Sequence, residues 1–463
     1  MAGALAAVCA QGAAAAPGPN AVVPADHWAY GALYRLAAFG VAPLWAASAR
    51  PLPRLEVARM VAEALERVGA TDGVSRAGAL AAASDAVRTD LDALRAEFAA
   101  ELRLLAAGRD ARPDPMAVGA AATARVVSGA PPRFLRHDGG GVELSRLYLA
   151  GRVGDVAVQA GRDALWWGPG SRGAFLLSDN AGPLDALTLT LTSGRFRAVK
   201  MVAPLADGAR YLYGLRVDWQ ARDDLRVGFG EVMVGTGGLE PLYALNVVPG
   251  VAYAIATRVR APVRNDNYNF TVDLDWRPRP GVVAYGELYV DDLVLTADNP
   301  FPHRLGGTVG LYLADPFGDG RTGVRVEHSR ATNWIYATPD AAAAYIRAGR
   351  ALGHWCAPDC ELWSVTVTRT FSPAAAVLVG YDLIRKGEGV LGQTWTDPDD
   401  ARRRYYLSGV IETSHALRAG ITRAWGEARA AATVVWTAST NAGHVAGATR
   451  QGWFVLVEAS YGF

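Results

Sequence analysis

Two adjacent tryptophans, Trp166 and Trp167, are the residues of this chain best suited to bind a sugar. They precede Gly168-Pro169-Gly170, a sequence that favours a tight turn. Indole rings stack on the apolar C–H faces of sugar rings, but two such rings can equally pack against the interior of a protein. The sequence therefore predicts either a glycan-binding platform or a packing unit at this turn.

Polar side chains flank the tryptophan pair on both sides. Arg162 and Asp163 come just before it, and they could pair inside a lumen, or Arg162 could bind acidic sugars through its guanidinium. Ser178 and Asn180 follow, and they offer hydrogen bonds to sugar hydroxyls or to the local backbone. With the tryptophans and the turn, these four residues make up the predicted glycan site.

Catalytic motifs are missing from the sequence. Ser171 has Pro169 where the nucleophile elbow of hydrolases has a glycine, and no phosphate loop or His-Glu-x-x-His motif is present. The seven histidines are scattered. We therefore expect no enzyme activity, no metal and no cofactor. A hydrolase would need a nucleophile and a base within about 3 Å of each other.

Cys356 and Cys360 are close in sequence and follow His354. Two thiols so spaced in an exported protein favour a local disulfide, because they meet an oxidising environment. A metal site that uses His354 with both thiols is the alternative, but it lacks an evident fourth ligand. We predict the disulfide.

From residue 120 to residue 463 the hydrophobic pattern has a period of two. In the stretch 210–220, for example, Tyr213, Leu215 and Trp219 alternate with arginine, aspartate and glutamine. Strands with this pattern place one face in lipid and the other in a wet lumen, although a soluble sandwich would also alternate.

The last strand favours the barrel over the sandwich. Its apolar positions end with Tyr461 and Phe463, and a terminal aromatic looks like the signal that outer-membrane barrels present to their assembly machinery. About 340 residues leave room for about 18 strands. The predicted fold is mainly β: a large antiparallel transmembrane barrel in the bacterial outer membrane, surrounded by lipid.

Bulk composition excludes several other classes. Lys+Arg is 46 and Asp+Glu is 45, so no strong field favours nucleic acid. Mean hydropathy is +0.09, between that of soluble proteins and helical membrane proteins. Residues 1–20 begin with small apolar side chains and predict a signal peptide, whose missing basic region suggests a truncated start.

Two helical zones precede the strands. Residues 22–70 predict two short helices, one after Asp26 and one after Pro53. Residues 78–108 contain apolar side chains at steps of three and four, which is typical of a coiled coil or a helix packed on a neighbour. A helix between a periplasmic module and a barrel would act as a spacer or as the stem of a trimer.

The Trp-Trp-Gly-Pro-Gly sequence at 166–170 and the following Leu177-Ser178-Asp179-Asn180-Ala181 resemble the capsule assembly Wzi family. The resemblance covers roughly residues 120–463. It implies an outer-membrane barrel that holds capsular polysaccharide at the cell surface.

Residues 22–70 resemble an S-layer homology module. The match rests on Asp26 and Trp28 and on Arg54 and Glu56, which stand in the family's Thr-Arg-Ala-Glu motif although Pro53 and Leu55 replace its threonine and alanine. This resemblance implies binding to peptidoglycan or a wall polymer. A plain helical hairpin is the alternative.

The leading hypothesis is thus a non-enzymatic barrel that organises capsular or other surface polysaccharide and is tethered to the peptidoglycan. The alternative is a wall-tethered porin for small solutes, usually trimeric in this architecture. Planar-bilayer conductance distinguishes them, because only the porin needs an open lumen.

Overall fold

In the computed structural model, sixteen antiparallel strands close into one barrel. The structure describes residues 18–69, 84–108, 116–129, 140–205, 209–250, 266–292, 302–338, 340–395 and 397–462. The barrel strands in chain order are β1 (Met116–Ser128), β2 (Gly141–Val153), β3 (Val156–Asp163), β4 (Leu184–Ser193), β5 (Phe196–Pro204), β6 (Arg210–Arg222), β7 (Leu225–Thr236), β8 (Asn267–Arg279), β9 (Val282–Asp292), β10 (Arg304–Ala314), β11 (Thr322–Ala331), β12 (Cys360–Ser372), β13 (Ala375–Lys386), β14 (Glu412–Trp425), β15 (Ala428–Thr440) and β16 (Thr449–Gly462).

The predicted barrel is confirmed, but with sixteen strands rather than about eighteen. Each strand pairs with its neighbours in sequence, and β16 pairs with β1 to close the ring, with Tyr461 opposite Ala122. Phe463, the other residue of the predicted assembly signal, lies outside the described residues, as does most of the predicted signal peptide.

The two ends of the barrel differ in their connections. One end carries short turns, such as those at 154–155 and 280–281, and the other carries long loops, such as those at 164–183 and 332–359. Outer-membrane barrels have short periplasmic turns and longer extracellular loops. We therefore assign the short-turn end to the periplasm and the long-loop end to the cell surface.

Alternation along the strands separates a lipid face from a lumen face. In β8, Val272, Leu274 and Trp276 are exposed on the outside, whereas Asp273 and Asp275 between them are buried in the lumen. Side chains of a strand point to opposite faces in turn, so the period of two in the sequence produces this arrangement directly.

Among the described residues, four helices precede the barrel and fill its short-turn end: α1 (Trp28–Ala38), α2 (Arg54–Gly69), α3 (Ser84–Glu97) and α4 (Ala99–Ala106). The Tyr34 hydroxyl of α1 donates to the lumen-facing Asp275 (3.2 Å), and the amide of Gly281 in a short turn donates to the carbonyl of Ala38 (2.8 Å). The helices share one hydrophobic core with barrel residues such as Tyr285. We call the described residues 18–69 and 84–108 the plug.

The second half of the plug differs from the expected spacer. Val87, Leu91 and Leu94 of α3 are buried against α1 and α2, and the chain breaks at the buried Phe98 before α4 begins. The apolar seam predicted from the sequence is present, but its partner is the first helical pair and not a second chain. The stem interpretation is thereby corrected.

The described residues also contain several short elements. They are the helices α5 (Pro241–Leu245) and α6 (Pro398–Arg403), the 3-10 turns Leu44–Ala47, Asp179–Ala181, Ala341–Ala343 and Ala442–His444, and the two-residue strands Val22–Val23, Ala49–Arg50, Leu52–Pro53, Trp166–Trp167, Ile346–Arg347 and Arg350–Ala351. Within the part of the chain that the structure describes, no helix has both the length and the apolar character to cross a membrane.

Candidate functional site

The loop between β3 and β4 folds into the lumen and meets the plug there. Trp166–Trp167 pairs antiparallel with Ala49–Arg50 of the plug, and the amide of Gly168 donates to the carbonyl of Ser48 (2.8 Å). We call residues 164–183 the inward loop. Backbone segments that enter from opposite ends of the barrel therefore pair with each other inside the lumen.

Both tryptophans of the predicted glycan site lie in packed surroundings. Trp166 is 9% exposed and Trp167 is 2% exposed. The Trp166 indole donates to the carbonyl of Gly168 (3.1 Å), and the Arg50 guanidinium lies 5.0 Å from the ring centre of Trp166. Neither ring is presented to a sugar, so the packing interpretation replaces the stacking interpretation.

The glycines of the motif allow the tight turn that the sequence predicts. Gly168 has a φ of +148°, and a Cβ there would lie 2.8 Å from the Cβ of Ala174. A Cβ at Gly170 would lie 2.2 Å from the carbonyl oxygen of Gly173. Because no side chain fits at either position, the turn around Pro169 needs both glycines.

Two carboxylates on the barrel wall hold the inward loop in place. Glu327 of β11 accepts hydrogen bonds from the amide (2.6 Å) and hydroxyl (2.6 Å) of Ser171 and from the amide of Arg172 (3.1 Å). Glu287 of β9 accepts the amides of Phe175 (3.0 Å) and Leu176. A carboxylate that accepts several amides satisfies backbone donors which would otherwise be buried without partners.

Ser178 and Asn180 join the inward loop to a second loop. The Ser178 hydroxyl donates to the carbonyl of Gly353 (2.7 Å), and the Asn180 side-chain amide donates to the carbonyl of Ala351 (2.8 Å). Both side chains therefore bind backbone of the loop at 332–359. Of the two roles predicted for these side chains, the structure shows the hydrogen bonds to backbone groups.

Arg162 and Asp163 point to opposite sides of the barrel wall. Arg162 lies on the outer face and binds Asp185 through two hydrogen bonds of 2.8 and 2.7 Å. Asp163 is buried on the lumen side and accepts from the amide of Ala164 (2.8 Å) and the side chain of Gln159 (3.0 Å). Of the two alternatives for these residues, the pairing of Arg162 with Asp163 in the lumen is wrong, because the side chains of neighbours on a strand point to opposite faces.

A buried network of charged side chains, which the sequence pattern alone does not predict, lies on the lumen wall of β5 to β8. Its members are Arg197, Arg216, Arg226, Asp218, Asp273 and Asp275, which are buried almost completely. Asp218 accepts from all three arginines at 2.8, 2.8 and 3.0 Å. We call these six residues the charge network.

The plug covers the charge network from the short-turn side. The Ser48 hydroxyl donates to Asp218 (3.1 Å), and Glu56 lies 3.6 Å from Arg197. Water is thereby kept from the network, and the charges are compensated by one another.

Three of the four predicted wall-binding side chains make ion pairs within the molecule. Arg54 binds Glu101 (2.6 Å) and Glu97 (2.9 Å) of the plug, and Glu56 faces Arg197 of the barrel. Asp26 pairs with Arg429 of β15 (2.9 Å), while Trp28 is half-buried beside His27. Arg54 and Glu56 are buried, so they stabilise the plug and are not exposed to a polymer.

Cys356 and Cys360 form a disulfide with a Cα–Cα distance of 5.9 Å. His354 beside them is fully buried, stacks on Phe175 at 4.7 Å and accepts the amide of Cys356 through Nδ1 (3.2 Å). In the described ranges of the chain, no group of three or more His, Cys, Asp and Glu side chains could hold a metal ion.

His354 should make the fold sensitive to acid. Burial, with a smaller effect of Arg172, lowers the pKa of His354 from 6.5 to about 3. The native state therefore binds fewer protons than the unfolded state between these values, so stability is complete above pH 6.5 and falls as the pH drops towards 3. Urea unfolding of the barrel at pH 7.5, 6, 5 and 4 measures this loss. H354Q should show a shallower decline, and equal declines would contradict the prediction.

Aromatic rings and arginines gather at the long-loop end of the barrel, on two loops and at the start of β10. The Arg304 guanidinium lies 5.5 Å from the ring centre of Trp395, Arg404 lies 5.3 Å from Trp334, and the two tryptophans meet edge to face at 5.9 Å. Trp395 is half-buried, as are Tyr405 and Tyr406 on the same loop. We call Arg304, Trp334, Trp395, Arg404, Tyr405 and Tyr406 the rim cluster.

Asp359 holds the rim cluster in a defined shape. Its carboxylate accepts the amide of Gly389 (3.0 Å) and both the amide (3.1 Å) and hydroxyl (2.7 Å) of Ser408. The side chain of Asn333 donates to the carbonyl of Arg404 (2.6 Å). The loop at 387–411 is thereby fixed to the loop at 332–359, so its aromatic rings are positioned in advance.

These features define an outer-membrane β-barrel whose lumen is filled from both ends. The family model of the capsule assembly protein Wzi matches residues 76–451. The chain therefore belongs to the capsule assembly Wzi family, which is not a known class of enzyme.

Comparison with solved structures agrees with the fold. Wzi of Escherichia coli, described as a carbohydrate-binding β-barrel involved in group 1 capsule assembly, is 14% identical, with a TM-score of 0.64 over 96% of this chain and 99% of its own. The outer-membrane channel DcaP of Acinetobacter baumannii matches 75% of this chain and 96% of its own, at 12% identity and a TM-score of 0.38, too low to support an argument. The comparison with curated proteins found no match.

Proposed function

We propose that this barrel binds surface polysaccharide at its long-loop end and holds capsule on the cell without transporting it. The observation that carries the proposal is the filled lumen, in which the plug and the inward loop join at Ala49–Arg50 and Trp166–Trp167. A barrel filled in this way favours a binding role over the tethered porin that the sequence left as the alternative.

The rim cluster is the surface that we assign to the polysaccharide. Half-buried rings such as Trp395 and Tyr405 offer aromatic area to the C–H faces of sugars. Arg404 adds a partly exposed guanidinium group that binds carboxylates of acidic sugars. Arg304 already pairs with Asp291 and Asp292, so its part is to hold Trp395 in place. Because Asp359 already orders the loop, little conformational entropy is lost when a glycan binds.

Two measurements test this function. Removing the gene should release capsule into the medium, and complementation with W395A/Y405A should restore capsule poorly. Purified barrel in detergent should bind capsular polysaccharide at least about tenfold more weakly as W395A/Y405A, a loss of about 1.4 kcal/mol. F371A, which removes an exposed ring at the opposite end, is the matched control. Wild-type capsule retention in the deletion strain would disprove the proposal.

Attachment to the cell wall is a second proposal, supported by one cavity. A cleft of about 350 Å³ opens at the short-turn end between the plug and the barrel wall, and Asp26, Trp28 and Arg54 line it. Asp26 and Trp28, the two predicted wall-binding residues that are not buried, therefore share one cleft on the periplasmic side, whereas Arg54 lies in its wall and is held by Glu97 and Glu101. Sedimentation with purified peptidoglycan sacculi tests it: W28A should stay in the supernatant, and equal sedimentation of wild type and W28A would reject this cleft.

A further inference from the structure

Glu231 of β7 points to the lipid face of the barrel. Its neighbour Val232 packs in the lumen with the inward loop, and adjacent side chains on a strand point to opposite faces. In the strand register, the next outward row towards the cell surface contains Leu187 of β4, and the next outward row towards the periplasm contains Leu288 of β9. Both leucines are exposed on the outside, whereas Glu231 is only 7% exposed. A carboxylate thus lies within the lipid-facing band and is covered from outside.

The chain that follows β7 provides part of this cover. The amide of Gly250 donates to Glu231 (2.6 Å), as does the hydroxyl of Tyr268 in β8 (2.8 Å). Glu231 lies five residues before the end of β7 at Thr236, which places it about 12 Å below that end in a tilted strand. Residues 237–250 therefore turn back from the cell surface and run down the outside of the wall. We call them the outer flap.

The inner side of the outer flap packs on outward-facing side chains of the wall. Tyr243 of α5 meets Tyr213 of β6 with ring centres 5.5 Å apart, and both pack with Met233 of β7. The Tyr213 hydroxyl accepts the amide of Glu240 (2.7 Å). The flap is therefore fixed to the outside of the barrel by apolar contacts and hydrogen bonds together.

Side chains also satisfy backbone groups of the outer flap. The Asn246 side chain accepts the amide of Val248 (3.2 Å) and donates to its carbonyl (2.8 Å). The Glu240 side chain accepts the amide of Leu242 (3.2 Å), and Pro241 has no N–H that needs a partner. Backbone groups that already have partners enter an apolar environment at a much lower cost than free ones.

The side of the outer flap that faces away from the wall is apolar. Leu245, Val247 and Val248 are each more than half exposed. Glu240 is the only charged residue between 237 and 250, and its side chain is buried. The three exposed side chains stand next to the segment that binds Glu231, so they lie at the depth of the lipid-facing band.

We propose that the outer flap is a membrane-contacting segment, which Glu231 anchors to the wall and whose Leu245, Val247 and Val248 lie among acyl chains of the outer leaflet. Leu187 and Leu288 on either side of it already face lipid, so the apolar side of the flap continues that surface. A water-soluble partner would not reach this depth below the ends of the strands. The inference does not depend on polysaccharide binding at the rim cluster.

Fluorescence quenching of the full-length barrel in lipid vesicles tests the inference. A bimane label is attached to V247C in a C9S background, and the probe lipid is phosphatidylcholine with a nitroxide at carbon 5 of one acyl chain. This lipid should lower the fluorescence at least about twofold, because the label lies below the headgroups, and aqueous iodide should have little effect. E231A removes the acceptor of the Gly250 amide, so quenching by the lipid should weaken and quenching by iodide should rise.

V445C is the matched control. Val445 is also more than half exposed, but it lies on the loop at 441–448, which bends over the lumen because the amide of Gly443 donates to the lumen-facing Glu412 (2.8 Å). A label on V445C should respond to iodide and not to the nitroxide lipid, with or without E231A. Heat-modifiable migration on gels shows that each variant is folded.

Equal lipid quenching at positions 247 and 445 would overturn the proposal, as would lipid quenching at position 247 that E231A leaves unchanged. Conversion of most L245C in membranes to disulfide-linked dimers would also overturn it, because a second copy of the chain would then cover the flap in place of lipid.

Discussion

Replacing Asp218 by alanine should lower the free energy of unfolding of the barrel by about 3–5 kcal/mol. Asp218 accepts hydrogen bonds from three arginines whose side chains have no solvent exposure. Without it, three guanidinium groups would remain in the lumen with only Asp273 and Asp275 as acceptors within the network. Removing one partner of a buried ion pair is costly because the remaining charge is neither solvated nor compensated.

Urea unfolding of the barrel in detergent or lipid measures the effect. D223A is the control: Asp223 also pairs with an arginine, Arg195, but both side chains are more than half exposed, so its loss should change stability by about 1 kcal/mol or less. D218N, which keeps part of the hydrogen bonding, should fall between the two. If D218A and D223A unfold at the same urea concentration, the charge network does not stabilise the fold.

Removal of the plug should turn a closed barrel into a conducting one. Without residues 18–108, the inward loop loses its partner strand at Ala49–Arg50, and the short-turn end loses the core that the helices share with Tyr285 and Tyr312. Planar-bilayer recordings should show large conductance steps for this deletion and none of that size for the full chain.

A full-length variant provides a second test, which remains valid if the deletion does not fold. E287A/E327A removes the carboxylates that together accept hydrogen bonds from five amide and hydroxyl groups of residues 171–176. The inward loop should then open intermittently and give smaller, flickering currents. Steady conductance by the wild-type chain, or silence of a correctly folded deletion, would show that the plug does not close the lumen.

The barrel could be predicted from the sequence because its physical cause is local. Alternation along strands such as β8 decides which face meets lipid, and no knowledge of the partner strand is needed. The expected number of strands is too high because it allows the same short connection after every strand, whereas the loops at 164–183 and 332–359 are long. These loops carry apolar side chains that fill the lumen, so their composition resembles that of strands.

The site was harder to predict, because the same residue type serves both packing and recognition. Trp166 and Trp167 have the chemistry of a sugar platform, yet their backbone pairing with the plug places them in the interior. In the sequence, the charge network appears only as charged residues at alternating positions of strands such as β6 and β8. Recognising it needs the register that brings Arg216 opposite Gly230 and places Asp273 beside Gly228.

The orientation of the Arg162 side chain could have been predicted from strand geometry alone. Arg162 precedes Asp163 in β3, and the side chains of adjacent residues on a strand cannot both point into the lumen. The outward position of Arg162 followed from this rule once the end of β3 was known, whereas its partner Asp185 depended on the long connection between β3 and β4.

The pairing of Ala49–Arg50 with Trp166–Trp167 also constrains the order of assembly. These segments are separated by more than a hundred residues, and their contact requires both the wall around them and the helices below them to be in place. Contacts of such sequence separation form late because ordering the intervening chain costs entropy first. We therefore expect this pairing to form after the hairpins of the wall, which join residues close in sequence.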